Sequence, residues 1–158
     1  MQLLDITPNN WRDIIHLTTN KSHIATIEEK YVPSAAFSII EAYFSSFSNE
    51  SEYVAKAIEH RGKIIGFVMY NCFKDNDNTN VCTLNNFFID INYQGRGHGS
   101  KAMDLLLSEI TQKYSCVEIF AHIHPDNKIA LSFFDKNGFD LVTLDNGVIL
   151  AALLWGYL

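Results

Sequence analysis

The sequence has 158 residues and is poor in proline, cysteine and basic side chains, with three prolines, three cysteines and 12 Lys and Arg against 18 Asp and Glu. The resulting net charge of −6 argues against a nucleic-acid partner, because phosphate contacts need clustered Lys and Arg. The longest apolar run, 148–155, is about half of what a membrane-spanning helix needs. The N-terminus has no basic region followed by an apolar one. We therefore expect no membrane span and no export signal.

No CxxC pair occurs among the three cysteines, which are Cys72, Cys82 and Cys116. Each of them lies in an apolar stretch, as a small core residue does. This pattern predicts a protein of the reducing cytoplasm. His122 and His124 alternate along one predicted strand, but no second pair of ligands has a matching spacing, so we expect no metal.

No repeat, proline-rich linker or low-complexity tract interrupts the chain, and 1–158 is predicted to form one domain. Apolar periodicity predicts a mixed α/β order, in which the 97–114 helix joins two strands as a parallel crossover. The predicted elements are an opening strand, a helix capped by Thr7 and Pro8, a helix capped by Ser34, strands over 53–58, 64–73 and 81–91, a helix over 97–114, a strand over 117–124, a helix over 126–137 and a hairpin over 139–155.

Three of the eight glycines lie within five residues, in the segment Gln94-Gly95-Arg96-Gly97-His98-Gly99 between a predicted strand and a predicted helix. Such a loop can direct successive backbone N–H groups into one concavity, and the helix adds its positive end. The segment therefore predicts a phosphate or pyrophosphate site, although its spacing fits neither the dinucleotide fingerprint nor the P-loop. The structural alternative is a glycine-rich turn that only lets the helix begin.

The segment from Ile89 to Gly99 resembles the acyl-CoA signature of the GNAT N-acetyltransferases, Gln/Arg-x-x-Gly-x-Gly/Ala after an aliphatic strand residue. The superfamily's second cofactor motif is matched in spacing by Asn127, Ala130, Phe134, Gly138 and Phe139. Phe87-Phe88-Ile89-Asp90 and the Asn10-Trp11 helix are most similar to bacterial diamine and spermidine/spermine N-acetyltransferases. The resemblance covers nearly the whole chain and implies the GNAT fold, a central twisted mixed sheet flanked by about four helices.

The resemblance also implies acetyl-CoA as cosubstrate and a small cationic amine as acceptor, with a polyamine such as spermidine or spermine as the expected amine. The cofactor-binding residues that it implies are Phe88, Ile89, Gln94, Gly95, Arg96, Gly97, His98, Gly99, Ser100, Asn127 and Phe134. A backbone N–H freed where the strand bulges near Ile89 is expected to stabilise the oxyanion that forms when the amine attacks the thioester.

Phe134 occupies the position at which many family members carry a tyrosine that protonates the leaving thiolate. Phenylalanine cannot donate a proton, so water, Tyr31 or His122 are the alternative donors. His122 is also a candidate general base or proton relay. The alternative is that it is a purely structural histidine. If Phe133 and Phe134 are ordinary core residues, the register or the mechanism differs from the family pattern.

Glu28 and Glu29 follow the first helix, where related polyamine enzymes bring acidic side chains over the cleft, and Asp90 ends the strand before the glycine loop. These three carboxylates are the predicted acceptor-binding residues; solvated loop charges, or a structural role for Asp90, are the alternatives. Asn86, Thr83 and the residue around Val148 depart from the polyamine-like pattern and weaken that assignment more than the acetyl-CoA assignment.

The terminal segment 148–158 is apolar and predicts either burial against the sheet or a homodimer interface. Two other functions fit the same motifs. One is acetylation of an aminoglycoside, a peptide or a protein N-terminus, and the other is a weakly catalytic acyl-CoA-binding regulatory module.

Overall fold

The computed structural model describes residues 1–19, 34–47 and 53–154. Its strands are β1 Gln2–Asp5, β2 Tyr53–His60, β3 Lys63–Lys74, β4 Asn80–Ile89, β5 Glu118–Ile123, β6 Asp140–Thr143 and β7 Ile149–Leu154. Its α-helices are α1 Trp11–Ile15, α2 Ala35–Ser45, α3 His98–Tyr114 and α4 Lys128–Lys136. The strands form one sheet in the order β1-β2-β3-β4-β5-β7-β6, in which β4 and β5 are parallel and the other neighbours antiparallel. The predicted mixed α/β fold with a parallel crossover is confirmed.

The α3 helix makes that crossover and packs on the sheet through one apolar side. Met103, Leu106 and Ile110 recur at helical spacing and are fully buried in the main hydrophobic core. The Tyr70 hydroxyl of β3 donates a hydrogen bond to Glu109 Oε1 of α3 at 2.8 Å. Burial raises the pKa of Tyr70 far above its usual value, so the phenol remains a neutral donor. These contacts fix α3 against the sheet, and with it the loop from which α3 begins.

The first helix begins later than the sequence predicts. Thr7 does not cap it, because the Thr7 carbonyl accepts N–H groups of both Asn10 and Trp11 and closes a turn that contains Pro8. Asn10 is the residue before the helix, and its side-chain amide donates to the Asp5 carbonyl at 2.8 Å. The turn closed by the Thr7 carbonyl and the hydrogen bond from Asn10 to Asp5 therefore take the place of a first helical turn that begins at Pro8, which local propensity favours.

The second helix has the predicted cap but does not bury the face that apolar periodicity predicts, which carries Ala36, Ile40, Tyr43, Phe44 and Phe47. Ser34 Oγ accepts the N–H of Phe37, as the sequence predicts. The small residues Ala35, Ser38 and Ala42 face the core, and Ile39 packs against it. The other large apolar residues in and just after the helix are exposed within the described part of the chain: Phe37, Ile40, Tyr43, Phe44 and Phe47. Small side chains let the helix lie close to the sheet.

The terminal hairpin is confirmed, and its second strand lies inside the sheet. β7 pairs with β5 on one side and β6 on the other, which buries Ala151 completely. Residues 155–158 lie outside the described part of the chain. Within the described ranges, no helix is long and apolar enough to cross a bilayer.

Cys72 and Cys82 form a disulfide, which corrects the expectation that all three cysteines are simple core residues. The two residues face each other across the β3–β4 pair, with Cα atoms 4.1 Å apart. Such a close antiparallel pair brings the side chains together, which the sequence separation of 10 does not reveal. Cys116 carries the free thiol and is buried.

Candidate active site

A cleft opens where the two parallel strands separate. β4 and β5 are paired only from Val81–Thr83 to Glu118–Phe120, and the cleft of about 690 Å³ lies beyond those three pairs. Its walls come from β4 residues 84–89, the end of β5 with the following residue, the glycine loop, one side of α4, the end of α1 with the residues after it, and the start of α2. A wedge between parallel strands exposes backbone groups that a neighbouring strand would otherwise cover.

The bulge in β4 lies at Asn85, four residues before the predicted position near Ile89. The register with β3 shifts between Met69 and Tyr70, which pair with Asn86 and Leu84, so Asn85 has no partner across the pair. Ile89 itself is in register opposite Gly66. A bulge depends on the alignment of two strands, and the sequence of one strand does not locate it.

The backbone of Ile89 nevertheless faces the cleft side of β4. Asp90 N–H donates to the Ile65 carbonyl at 2.8 Å, so that residue's backbone points toward β3. Antiparallel pairs alternate, so the preceding Ile89 points its N–H and C=O the other way, and so does Phe87. The Ile89 carbonyl accepts the Gln94 side-chain amide at 2.7 Å. Two peptide N–H groups, of Phe87 and Ile89, are thereby directed to the cleft.

The glycine loop closes one end of the cleft. Gly97 is the residue before α3 and adopts φ +76°, a left-handed conformation that favours glycine. Gly95, Gly97, Gly99 and Ser100 border the cleft together with Gln94. The loop thus presents backbone rather than bulky side chains at the positive end of a 17-residue helix.

Arg96 and His98, both predicted to bind the cofactor, do not border the cleft. Arg96 is exposed. The His98 ring packs behind the loop, with its centroid 4.7 Å from that of His60 and 6.5 Å from that of Tyr93. Alternate side chains of the loop therefore point away from the surface that its backbone forms.

The helix α4 supplies the opposite wall. Asn127 caps it, since its Oδ1 accepts the Ala130 N–H at 3.0 Å, and both residues border the cleft. Phe134 also borders the cleft and is only 6% exposed, with its ring edge-on to Phe139 at 4.9 Å. Phe134 is therefore a core residue and a cleft wall at once, which combines the two readings that the sequence leaves open.

Phe133 joins the two walls and is a residue that the sequence treats only as core. Its ring stacks on Phe87 of β4 at a centroid distance of 5.3 Å. A Cβ placed on Gly99 would lie 3.0 Å from the Phe133 ring, so the third glycine lets α3 approach α4. The motif spacing shows that a glycine stands at position 99, but the contact that requires it follows only from the fold.

Of the predicted proton-transfer and acceptor-binding residues, His122 lies at the cleft, Asp90 lies away from it, and the others lie outside the described part of the chain. His122 borders the cleft, is exposed, and meets Phe120 edge-on at 5.8 Å. His124 Nδ1 accepts the Asp126 N–H at 3.2 Å. Glu28, Glu29 and Tyr31 lie outside the described residues.

Asp90 is buried, 6% exposed, and is not among the residues that border the cleft. Its Oδ2 accepts the Thr18 N–H at 3.0 Å and its Oδ1 accepts the Asn92 N–H and side-chain amide at 2.9 Å. These bonds tie the end of α1 to the end of β4. The arrangement favours the structural role for Asp90 over the predicted contact with the acceptor.

Replacing Asp90 by asparagine is expected to lower the free energy of unfolding by about 1–3 kcal/mol, because an amide group would face N–H donors that now meet a carboxylate. Urea denaturation measures this loss. The KM for the acceptor in the folded fraction should stay near that of the parent. A raised acceptor KM with unchanged stability would instead place Asp90 in the acceptor pocket.

Two buried polar atoms that have no partner in the described part of the chain belong to residues that border the cleft. Asn85 Oδ1 and Thr19 Oγ1 are buried and have no hydrogen-bond partner within the described ranges, and both residues border the cleft. Among the described lining residues there is no Asp or Glu. No motif in the sequence points to Asn85, because the bulge at which it lies depends on the register of β4 against β3.

Comparisons with known proteins agree with this geometry. The chain is 28% identical over 138 residues to the spermine/spermidine N(1)-acetyltransferase of Bacillus subtilis (strain 168), covering 85% of this chain and 84% of the relative. It shares a fold with the PaiA N-acetyltransferase of Thermoplasma acidophilum in complex with coenzyme A (TM-score 0.69, 19% identity, 98% of both chains). It is also similar to aminoglycoside acetyltransferase AAC(6')-Ib in complex with coenzyme A (TM-score 0.72, 16% identity, 97% and 94% of the chains).

The sequence model of the acetyltransferase (GNAT) family matches residues 14–139, which include β4, the glycine loop, α3, β5 and α4. The match spans both cofactor motifs and the wedge between the parallel strands. The resemblance expected from those motifs is therefore confirmed, and the chain belongs to the GNAT family of acetyltransferases.

Proposed function

We propose that the protein transfers an acetyl group from acetyl-CoA to a primary amine, with both substrates bound in the cleft between β4 and β5. The observation that carries this proposal is the combination of a strand wedge with a glycine loop at the start of α3. The wedge offers unpaired peptide groups to an extended chain, and the loop offers backbone N–H groups to an anion.

The shape and chemistry of the cleft fit acetyl-CoA. The amides of Gly95, Gly97 and Gly99 are the groups proposed to hold its pyrophosphate, with Ser100 and Asn127 beside them. The pantetheine arm would run along Phe88 and Ile89, whose strand edge lacks a β5 partner. Acetyl-CoA supplies an activated thioester there. Two solved structures of the same fold contain coenzyme A.

The N–H groups of Phe87 and Ile89 are proposed to stabilise the carbonyl oxygen of the thioester as it gains negative charge. Both belong to a strand held by β3, so they need little reorganisation during the reaction. The Ile89 carbonyl, bound to the Gln94 amide, fixes the orientation of the neighbouring peptide. Phe87 is thus proposed as a second donor beside the one near Ile89 that the sequence predicts.

A protonated alkyl amine must lose a proton before it attacks, because with a pKa near 10 only about one part in a thousand is neutral at pH 7. His122 borders the cleft and is exposed to solvent, so it is placed to pass that proton to water. Tyr31 remains a proposed alternative proton donor. Phe134 cannot serve in that role.

A polyamine is the acceptor that the curated relative supports, since its name specifies spermine and spermidine. The described cleft walls provide the side-chain oxygens of Asn85 and Thr19, which can accept hydrogen bonds from the amine, but no carboxylate. The charge complement of a polycation is therefore proposed to come from Glu28 and Glu29. An acetyltransferase for a less charged amine would not need them.

The first experiment follows thiol release from acetyl-CoA with spermidine at about pH 8, with mass spectrometry of the polyamine and a control without acceptor. Acetylated spermidine is the expected product. Parallel reactions contain an aminoglycoside and a peptide with a free N-terminus, because a fold neighbour is an aminoglycoside acetyltransferase. Product only with one of these would overturn the polyamine assignment, and thermal stabilisation by acetyl-CoA without any product would indicate the regulatory binding module.

Replacing His122 by alanine is expected to lower kcat about tenfold, below the usual effect of a general base because water in the open cleft can partly replace it. The KM for acetyl-CoA should change little, and added imidazole should restore part of the rate. His124→Ala is the matched control on the same strand face and should alter kcat far less. Equal losses in the two variants, or no rescue, would make His122 a structural residue.

We also propose a cytoplasmic homodimer. Apolar side chains are exposed along the edge strand β6 and at the end of β7, including Leu141, Val142 and Leu154. Edge strands with exposed apolar residues are protected when they pair with another chain. Light scattering coupled to size-exclusion chromatography measures the oligomeric state, and a concentration-independent monomer would contradict the proposal.

A further inference from the structure

All three cysteines of the chain converge beside the three-pair junction of β4 and β5, beyond which the cleft opens. Cys72 on β3 and Cys82 on β4 form a disulfide, and Cys116 lies just before β5 with its Sγ 3.2 Å from Cys82 Sγ. The three sulfur atoms all lie within 4.8 Å of one another. Cys82 therefore contacts a disulfide partner and a free thiol at the same time.

The three sulfurs differ in their access to solvent. Cys72 is partly exposed, whereas Cys82 is fully buried and Cys116 is 3% exposed. Burial raises the pKa of the Cys116 thiol. A reagent from solvent can thus reach Cys72 first, and Cys116 reacts only with the sulfur beside it.

The cluster lies where the walls of the cleft are joined. Cys82 forms the middle one of the three β4–β5 pairs, opposite Ile119. Asn80, two residues earlier, accepts the Val117 N–H and donates its side-chain amide to the Tyr114 carbonyl. Beyond Thr83 the strands diverge. The sulfurs therefore lie at the junction from which the wedge opens.

We propose that Cys72, Cys82 and Cys116 form a thiol–disulfide exchange site in which Cys82 bonds alternately to Cys72 and to Cys116. The Cys116 thiol loses its proton, and the thiolate attacks Cys82 Sγ. The Cys82–Cys116 bond forms as the Cys72–Cys82 bond breaks, and the Cys72 thiolate takes up a proton. The exchange needs no external oxidant, because the number of disulfides does not change.

A low-molecular-weight disulfide such as oxidised glutathione generates the first bond from the reduced protein. The Cys72 thiolate attacks it, forms a mixed disulfide and releases one glutathione thiol. The Cys82 thiolate then attacks the Cys72 sulfur and releases the second glutathione thiol. This order follows from exposure, since Cys72 is the accessible member.

The two disulfides have different mechanical effects. A Cys72–Cys82 bond joins strands that an extended antiparallel ladder already holds together. A Cys82–Cys116 bond instead ties β4 to the segment that enters β5, across the short three-pair junction. Exchange to Cys116 therefore restrains the separation of the two cleft walls, and reduction releases it.

Peptide mapping in a glutathione redox buffer tests the exchange. Acid quenching stops it, free thiols are alkylated, and trypsin separates the cysteines because Lys74 lies between Cys72 and Cys82 and Lys113 between Cys82 and Cys116. The wild-type protein should yield both Cys72–Cys82 and Cys82–Cys116 linked peptides. Three alkylated cysteines in the oxidising buffer, or bound zinc or copper in stoichiometric amount with three free thiols, would overturn the proposal.

Serine variants assign the partners. Cys72→Ser is refolded from denaturant in the oxidising buffer, because its two remaining cysteines are buried in the folded protein, and should yield only the Cys82–Cys116 peptide. Cys116→Ser should yield only the Cys72–Cys82 peptide, while Cys82→Ser should yield neither. Failure of Cys72→Ser to form the Cys82–Cys116 bond would exclude exchange. Circular dichroism checks that each variant is folded. The peptide mapping of the wild-type protein tests the exchange even if a variant does not fold.

The acetyl-CoA Kd of Cys72→Ser should change at least about threefold between oxidised and reduced protein, whereas that of Cys116→Ser should be unchanged. A threefold change corresponds to about 0.7 kcal/mol. This arm rests on the acetyl-CoA binding proposed above and the peptide mapping does not, so the two failures are distinguishable. An unchanged Kd in both variants, with mapping as expected, would overturn the coupling of the exchange to the cleft.

Discussion

Replacing Gly97 by valine is expected to weaken acetyl-CoA binding at least about a hundredfold. Gly97 borders the cleft at the start of α3 with φ +76°, a conformation that is strained for a β-branched side chain. To escape it, the loop must rotate the peptide groups that are proposed to face the pyrophosphate. Loss of one or two charge-assisted hydrogen bonds, each about 1.5–3 kcal/mol, gives an effect of this size.

Gly62 provides a matched control for the Gly97 substitution. It has φ +78° in the β2–β3 turn, and a Cβ there would meet nothing within 4 Å, as is also true of Gly97. Gly62→Val should therefore lose a similar amount of stability in urea denaturation without altering the acetyl-CoA Kd from calorimetry. Equal effects of the two variants on binding would show that the loop is only a turn, the structural alternative that the sequence leaves open.

The glycine loop could be predicted because its turn and the helix that follows it depend on residues that are neighbours in the sequence. A glycine cluster between an apolar β-rich run and a helix-periodic run fixes both the turn and the helix start, and α3 begins at His98 within that cluster. The strand order around it also follows from local signals, since the Arg61-Gly62 turn and the α3 crossover determine which strands are neighbours.

The features that the sequence did not locate all depend on contacts between distant segments. The bulge at Asn85 arises from the register of β4 against β3, and the Phe87–Phe133 stack joins β4 to α4. Asp90 illustrates the same limit, because its charge and position suggest a ligand contact until the fold brings the Thr18 N–H to its carboxylate. Local sequence identifies a group's chemistry, and the fold decides which partner it meets.

The second helix shows that a helix can be predicted correctly while the side that it buries is predicted wrongly. Its length and its Ser34 cap follow from the sequence, but the apolar residues occupy most of its circumference and so do not define one side. The packing distance between the helix and the sheet then decides which side is buried, because Ala35, Ser38 and Ala42 permit a closer approach than large side chains such as Phe44.

Replacing Phe134 by tyrosine is expected to raise kcat, by up to about a hundredfold if departure of the thiolate limits the rate. Phe134 is 6% exposed and borders the cleft, so a hydroxyl on its ring can reach the space between the strands from a rigid position. The thiol that leaves has a pKa of about 8.5, so it departs as a tolerable anion, and a proton donor improves it without being essential. The gain should therefore appear in kcat rather than in the KM for acetyl-CoA.

Phe139→Tyr is the control for the hydroxyl itself. Phe139 is 3% exposed, packs edge-on against Phe134 at 4.9 Å and is not among the cleft-bordering residues. Its variant should lose stability through a buried hydroxyl and gain no rate. Steady-state kinetics of both variants with the acceptor found above separates the cases. An unchanged kcat in Phe134→Tyr would mean that the thiolate leaves without help from this wall, and that proton transfer from the amine limits turnover instead.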